Sequence, residues 1–148
     1  MTQEDKSLLF KDLSARLPYG VKILHTGWDY DSDTDFDTVE TLIGIDDRFI
    51  YTVWDKTGDR EKHCLSVSNW KPYLRPLSSM TDEEKKELLK FGAVNRLSTG
   101  EIVDVSCVGF DRHCDVQDWL NSRHLDYRGL IPTGLAIEVT ENNNPYKE

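Results

Sequence analysis

Residues 38–54 read TVETLIGIDDRFIYTVW, and this stretch carries the clearest fold signal in the chain. Its first half alternates with a period of two, which is typical of a half-buried strand. A turn follows at Asp46–Arg48, and the β-branched and aromatic run Phe49–Trp54 leads back. The stretch therefore predicts a β-hairpin. One face of its first strand carries Val39, Thr41, Ile43 and Ile45.

A third alternating run, residues 62–67, extends the hairpin to a three-stranded antiparallel meander. Short strands are predicted before it, at Val21–Leu24, and near the C-terminus, at Leu135–Val139. We expect the sheet to carry helices on its apolar face. The side chains predicted to point into that core are Val39, Ile43, Val53 and Leu65.

Three helices flank the predicted strands. The first spans Thr2–Leu17, with leucines recurring every four residues and a cap at Thr2. The second begins at Thr81, because Glu84 completes a capping box. The third is predicted to be capped by Asp115. The sequence thus indicates one α+β domain over residues 1–140, an antiparallel meander with about three helices packed on it, and a flexible tail over residues 141–148.

Length and charge limit the possible functions. The chain has 148 residues and a net charge of −9, and no stretch approaches the ~18 apolar residues of a membrane span. Acidity of this size disfavours nucleic acid and anionic lipid as partners and suits a basic protein. Three cysteines in a polar chain are not a secreted disulfide framework. We therefore expect a cytoplasmic protein with a protein partner and no cofactor.

An acidic segment over residues 29–37 has the spacing of a calcium loop. Calcium loops place oxygen ligands at alternate positions and a glutamate at position twelve. Position six, however, is Thr34 in place of the required glycine, and strand-like segments flank the loop. We therefore expect a solvated loop that binds no calcium tightly. The candidate ligands are Asp29, Asp31, Asp33, Asp37 and Glu40, with Asp35 between them.

Two histidine–cysteine doublets, His63-Cys64 and His113-Cys114, raise the possibility of zinc. Neighbours in a strand point to opposite faces, so His63 and Cys64 are not expected to share an ion. Neither doublet has a zinc-finger spacing, and a Cys–His nucleophile pair has no supporting context. We expect a buried cysteine and a partly exposed histidine. The chain also lacks a Walker loop, a dinucleotide-binding glycine motif and a nucleophile elbow.

Two segments, residues 70–80 and 118–131, combine aromatic side chains with cations. Such groups can bind anions or stacked rings, although prolines and helix ends also explain them structurally. In the first segment, Trp70, Tyr73 and Leu74 are expected to pack in an ordered, extended loop before the second helix. The candidate binding residues are Trp70, Lys71, Tyr73, Arg75, Arg123, His124, Tyr127 and Arg128.

The stretches KPYLRPLSSMTDEE (71–84) and DWLNSRHLDYRGLI (118–131), with the opening KDLSARLPYGV (11–21), resemble a family of small proteins. Phages and prophages of gut Bacteroides-type bacteria encode this family. The resemblance implies a bacterial host cytosol and no particular reaction. We expect a phage accessory protein that binds another protein, with countering host defence or modifying host machinery as its expected roles. The alternatives are a small metal-dependent hydrolase or nuclease that uses the acidic loop, and a virion or assembly component.

Overall fold

A computed structural model describes residues 1–66, 69–90, 95–96, 102–104 and 113–147, and it confirms the α+β class. The side chains of residues 95–96, 102–104 and 113–114 are not among those described. The helices are α1 (Gln3–Arg16), α2 (Asp82–Leu89) and α3 (His113–Ser122). The strands are β1 (Lys22–Asp29), β2 (Thr34–Ile45), β3 (Phe49–Trp54), β4 (Arg60–Cys64), β5 (Trp70–Leu74), β6 (Asn95–Arg96), β7 (Ile102–Asp104) and β8 (Ile137–Glu138).

Six strands form one sheet in the order β4-β3-β2-β1-β5-β8, and β6 and β7 form a separate antiparallel pair. The meander predicted from residues 38–67 is present, and β1 and β5 extend it. The sheet is mixed and not purely antiparallel, because β8 runs parallel to β5. This pairing arises because the chain reaches the sheet edge again only after α2 and α3, so β8 arrives by a long connection and not by a hairpin turn.

The main core lies between α1 and the sheet face that carries Ile23, Leu42 and Ile50, here called the inner face. Leu65 is buried there as predicted, but Ile43 is 44% exposed. Along β2 and β3 the inward positions are those of Glu40, Leu42 and Thr52, so strand alternation places Val39, Ile43 and Val53 on the opposite face. The predicted inward face is therefore wrong at these three positions. A bulge between Leu42 and Gly44 shifts the register with β3, and beyond it Ile45 packs against the core.

A second core lies between α2 and α3, and it contains Met80, Leu88, Val116, Leu120 and Leu125. Both predicted capping boxes are present, at Thr2 with Asp5 and at Thr81 with Glu84. The prediction for α3 was wrong in detail. The helix already begins at His113, which places Asp115 in its first turn, where a carboxylate still complements the helix dipole.

The segment predicted as an extended loop after residue 69 is strand β5, which pairs with β1 on one side and β8 on the other. Trp70, Tyr73 and Leu74 are packed, as expected. The tail over residues 141–148 is held at Tyr146. Its hydroxyl donates to the Tyr73 carbonyl at 2.8 Å and accepts the Lys22 N–H at 3.0 Å.

Candidate functional site

A polar cluster occupies the part of the inner face that continues beyond the apolar core. The strand registers bring it together: His25 on β1 pairs with Thr38 on β2, and Ile23 pairs with Glu40. His63 comes from β4, two strands away from β2. The small side chain of Thr52 on β3 lies between Glu40 and His63 and allows them to meet above it.

Glu40 is the centre of this cluster and is only 1% exposed. One carboxylate oxygen accepts from Thr38 Oγ1 at 2.9 Å and lies 3.3 Å from His25 Nδ1. The other accepts from Thr52 Oγ1 and contacts His63 Nε2 at 2.7 Å. A buried carboxylate is costly unless it is paired and hydrogen-bonded, and Glu40 satisfies this requirement. Although burial acts to raise the Glu40 pKa, hydrogen bonds from Thr52, His63 and Thr38 lower it overall.

The two imidazole rings of the cluster are neighbours, with centroids 4.2 Å apart. Burial, and then the proximity of His63, lowers the pKa of His25, which outweighs the attraction of Glu40. The second ring nitrogen of His25 lies 3.3 Å from the Asn69 side-chain amide. Among the described residues, His25, Glu40 and His63 are the one group of three or more potential metal ligands whose donor atoms all lie within 4.8 Å.

An open cavity of about 640 Å³ lies directly over this cluster. His25, Thr38 and Glu40 contribute its polar lining, so the cluster is reachable from outside. Its remaining lining is aromatic and acidic, with Trp28, Tyr30, Phe36 and Trp54 beside Asp29, Asp31, Asp37 and Glu61. A concave site with a few convergent polar groups is the usual form of a ligand site.

Phe36 owes its place in the cavity wall to a glycine. Its ring lies across Gly27, the cross-strand partner on β1, where an added Cβ would come within 2.4 Å of the ring. The same ring meets His25 edge to face, with centroids 5.6 Å apart. Gly27 therefore lets an aromatic side chain lie flat against the hairpin and form part of the cavity.

The sequence suggested that the acidic segment is a loop, but most of it is paired strand. It forms the end of the β1–β2 hairpin, here called the acidic tip (residues 28–37), and strand pairing continues to Asp29 and Thr34. β1 pairs with β5 only at residues 23–25, and β2 pairs with β3 only from Glu40 onward. The tip is therefore a two-stranded ribbon that extends beyond the six-stranded sheet.

The candidate calcium ligands do not converge. Glu40 contacts His25 and His63, and no aspartate of the described residues belongs to that group of converging donor atoms. Asp29 accepts hydrogen bonds from the Asp31 N–H and the Ser32 hydroxyl, which closes the turn. Asp31, Asp33 and Asp37 are exposed, and Asp33 has a positive φ of 56°. The alternation of strand residues separates side chains that a calcium loop would gather.

The predicted binding residues on the first segment lie at several places. Trp70 and Tyr73 are buried, and the Trp70 indole donates to the Cys64 carbonyl at 2.9 Å. Arg75 forms a two-pronged ion pair with Glu84 at 2.8 and 3.0 Å. Lys71 is half-buried on the opposite sheet face and has no carboxylate partner among the described residues.

The predicted binding residues on the second segment make internal contacts. Arg123 pairs with Glu87 at 2.8 Å and lies over the Trp119 ring. Arg128 pairs with the buried Asp12 at 3.0 Å, and its guanidinium lies over Tyr127. These contacts tie α3 and the following segment to α1 and α2. His124 stacks on Tyr146 with centroids 3.9 Å apart.

Sequence reasoning identified Glu40 and noted His63, but it did not find the cluster. The expectation of a buried cysteine and a partly exposed histidine was wrong for the first doublet, because Cys64 is exposed and His63 is buried. The signal that was missed is strand alternation. Glu40 lies two residues before the buried Leu42, and His63 lies two residues before the buried Leu65, so both polar residues occupy inward positions. For the second doublet, the side chains lie outside the described residues.

The described part of the chain contains no helix with the length and apolar character that crossing a membrane requires. No protein-family model, no curated protein and no solved structure significantly matches this chain.

Proposed function

We propose that the chain is a phage accessory protein that binds a basic segment of another protein through its acidic tip. One observation carries the proposal: three aromatic side chains remain exposed on a ribbon with five carboxylates and no Lys or Arg. Tyr30 is 88% exposed, Trp28 44% and Phe36 37%. None of the five aspartates forms an ion pair with a described residue.

The composition of the tip matches a cationic partner. Aromatic rings bind Lys and Arg side chains through their faces, and carboxylates attract them over about a Debye length. Exposed aromatics are also the side chains that most often dominate binding energies at protein interfaces. The net charge of −9 adds long-range attraction of the same sign. In a phage setting the partner would be a host protein, with countering host defence or modifying host machinery as the outcome.

A peptide-binding measurement tests this proposal. The probe is a fluorescent lysine- and arginine-rich peptide, and the tip variant combines Tyr30→Ala, Asp31→Asn and Asp35→Asn. The matched control removes one exposed aromatic and two exposed carboxylates elsewhere, with Phe10→Ala, Glu138→Gln and Glu141→Gln. All six positions are solvent-exposed, so both proteins should remain folded.

We expect the tip variant to lose at least tenfold in affinity while the control binds like the wild type. Affinity should also fall as salt is raised. Equal losses in the two variants would mean that net charge alone attracts the peptide, and the proposal would be rejected. A tagged pull-down from infected host cells, with the same pair of variants, then asks whether a host protein depends on the tip.

A second candidate function, a metal-dependent hydrolase, was expected to use the acidic loop. The convergence of His25, Glu40 and His63 at an open cavity favours moving that hypothesis to the histidine cluster. Thr38 and Glu61 also line this cavity and would face a substrate bound there. Hydrolysis of ester and phosphodiester probes by zinc-loaded protein, absent from the metal-free form, is the corresponding test.

A further inference from the structure

We propose that His25, Glu40 and His63 form a binding site for a divalent transition metal of the zinc class. This proposal is independent of partner binding at the tip. Two imidazoles and one carboxylate are a ligand set that zinc and related first-row ions accept, and hard cations such as calcium do not favour imidazole. The three ligands come from three strands of one sheet and not from a flexible loop.

The distances suit an ion of this size. Zinc lies about 2.0–2.2 Å from nitrogen and oxygen ligands, so ligand atoms around a tetrahedral ion lie roughly 3.3 Å from each other. The contact between Glu40 and His25 Nδ1 is already 3.3 Å, and that between Glu40 and His63 Nε2 is 2.7 Å. The two contacts are made by the two different oxygens of Glu40, so an ion between the imidazoles would face both oxygens, and the second contact needs to lengthen by about half an ångström.

Polar side chains around the cluster are placed to hydrogen-bond with the proposed ligands. Metal-bound imidazoles usually donate their other N–H to a neighbour, and bound carboxylates are themselves hydrogen-bonded. Asn69 lies 3.3 Å from His25 Nε2, where its amide oxygen can accept that N–H after a flip of the side chain. The hydroxyls of Thr38 and Thr52 both donate to Glu40. These two hydroxyls thus hold the carboxylate where the ion would need it.

The site also has an entry path and room for a further ligand. His25 and Glu40 line the open cavity, while His63 lies behind Glu40 and does not line it. Three protein ligands leave a fourth position of a tetrahedral ion, and that position can be taken by water or substrate. The carboxylates of the acidic tip surround the cavity entrance and would concentrate cations there.

The test uses chelator-treated full-length protein that carries Cys64→Ser, because an exposed thiol can bind zinc on its own. Calorimetry with zinc and absorption spectroscopy with cobalt(II) are the readouts. We expect one ion per chain with a micromolar or tighter Kd, and visible cobalt bands. His25→Ala and His63→Gln should each weaken zinc binding at least tenfold. His124→Asn and Glu141→Gln, which alter a histidine and an exposed carboxylate outside the cavity lining, should leave it unchanged.

A second readout needs no ligand substitution, which matters because Glu40 and His63 are buried and their variants can lose stability. Imidazole nitrogen NMR signals of the Cys64→Ser protein are recorded during zinc titration. The signals of His25 and His63 should shift, and that of His124 should not. Absence of binding, shifts confined to histidines other than His25 and His63, or equal losses in the two histidine ligand variants and in Glu141→Gln would each overturn the proposal. Calcium and magnesium titrations should show no micromolar binding.

Discussion

His124 is a residue whose environment disfavours its charge. It follows α3 with a positive φ of 58°, a conformation that Asn also tolerates. The ring stacks on Tyr146, and its Nδ1 is buried without a hydrogen-bond partner among the described atoms. Burial, and then the cations Arg16, Arg75 and Lys22, lowers the His124 pKa from 6.5 to about 4. The folded protein thus keeps this imidazole neutral where the unfolded chain would protonate it.

This difference makes stability depend on pH in a defined direction. Because folding lowers the pKa, the unfolded state takes up the proton first, and the contribution of a neutral His124 is complete above pH 6.5. It is lost as the pH falls from 6.5 to about 4. We expect the stability advantage of the wild type over His124→Asn to shrink across this window, as measured by urea unfolding at several pH values.

Carboxyl groups with lowered pKa values, including Glu40 and Glu84, also lose stabilising contacts in acid. They titrate in both proteins, so the difference between wild type and variant isolates His124. A difference between the two unfolding free energies that stays constant from pH 7 to pH 4.5 would contradict the prediction.

At the scale of the elements, the alternation of side chains along β2 decides which of them enter the core. Leu42 is 2% exposed, whereas its neighbour Ile43 is 44% exposed. The period-two pattern predicted the hairpin correctly, since it depends only on alternation. It predicted the wrong inward face, because both faces of β2 carry apolar residues and the alternation alone does not say which face meets the core.

Leu42→Ala and Ile43→Ala are therefore a matched pair of truncations at adjacent positions. We expect Leu42→Ala to cost about 2–5 kcal/mol of unfolding free energy, because it leaves a cavity in a packed core. Ile43→Ala should cost about 1 kcal/mol or less, since the side chain is largely solvated. Chemical denaturation of both variants measures the two costs. Similar costs at the two positions would argue against this assignment of the two faces of β2.

The candidate site shows the same limit of sequence reasoning. The residues His25, Glu40 and His63 are 15 and 23 positions apart, and no local motif joins them. Only the strand registers, which place His25 opposite Thr38 and His63 opposite Ile50, bring them to one place. The helices were easier to predict, because capping boxes at Thr2 and Thr81 are local signals that need no knowledge of the sheet.

At the scale of the whole molecule, a buried ion-pair network joins α1 to the segment after α3. Asp12 and Arg16 are both fully buried and pair at 2.7 Å. Arg16 also donates to the Leu125 carbonyl at 2.7 Å, and Arg128 reaches Asp12 at 3.0 Å. Leu125 belongs to the second core and α1 to the first. The network thus connects the two cores, and we expect them to unfold together.

Removing Asp12 alone should lower the free energy of unfolding more than replacing Asp12 and Arg16 together. Asp12→Ala leaves the Arg16 guanidinium buried without its carboxylate, and such losses typically cost about 3–5 kcal/mol. The double variant Asp12→Ala with Arg16→Met removes the uncompensated charge and keeps an apolar chain in its place. We expect it to recover a large part of the lost stability, because a buried ion pair contributes little beyond well-packed apolar groups.

Urea unfolding followed by both tryptophan fluorescence and circular dichroism measures these effects. The two probes should give one coincident transition in the wild type, because the network couples both cores. In Asp12→Ala, either the single transition moves to lower urea or the probes separate as the cores uncouple. An Asp12→Ala protein as stable as the wild type would show that the buried pair does not hold the molecule together. A double variant less stable than Asp12→Ala would show that the Arg16 contact to Leu125, and not the pair with Asp12, is the connection that matters.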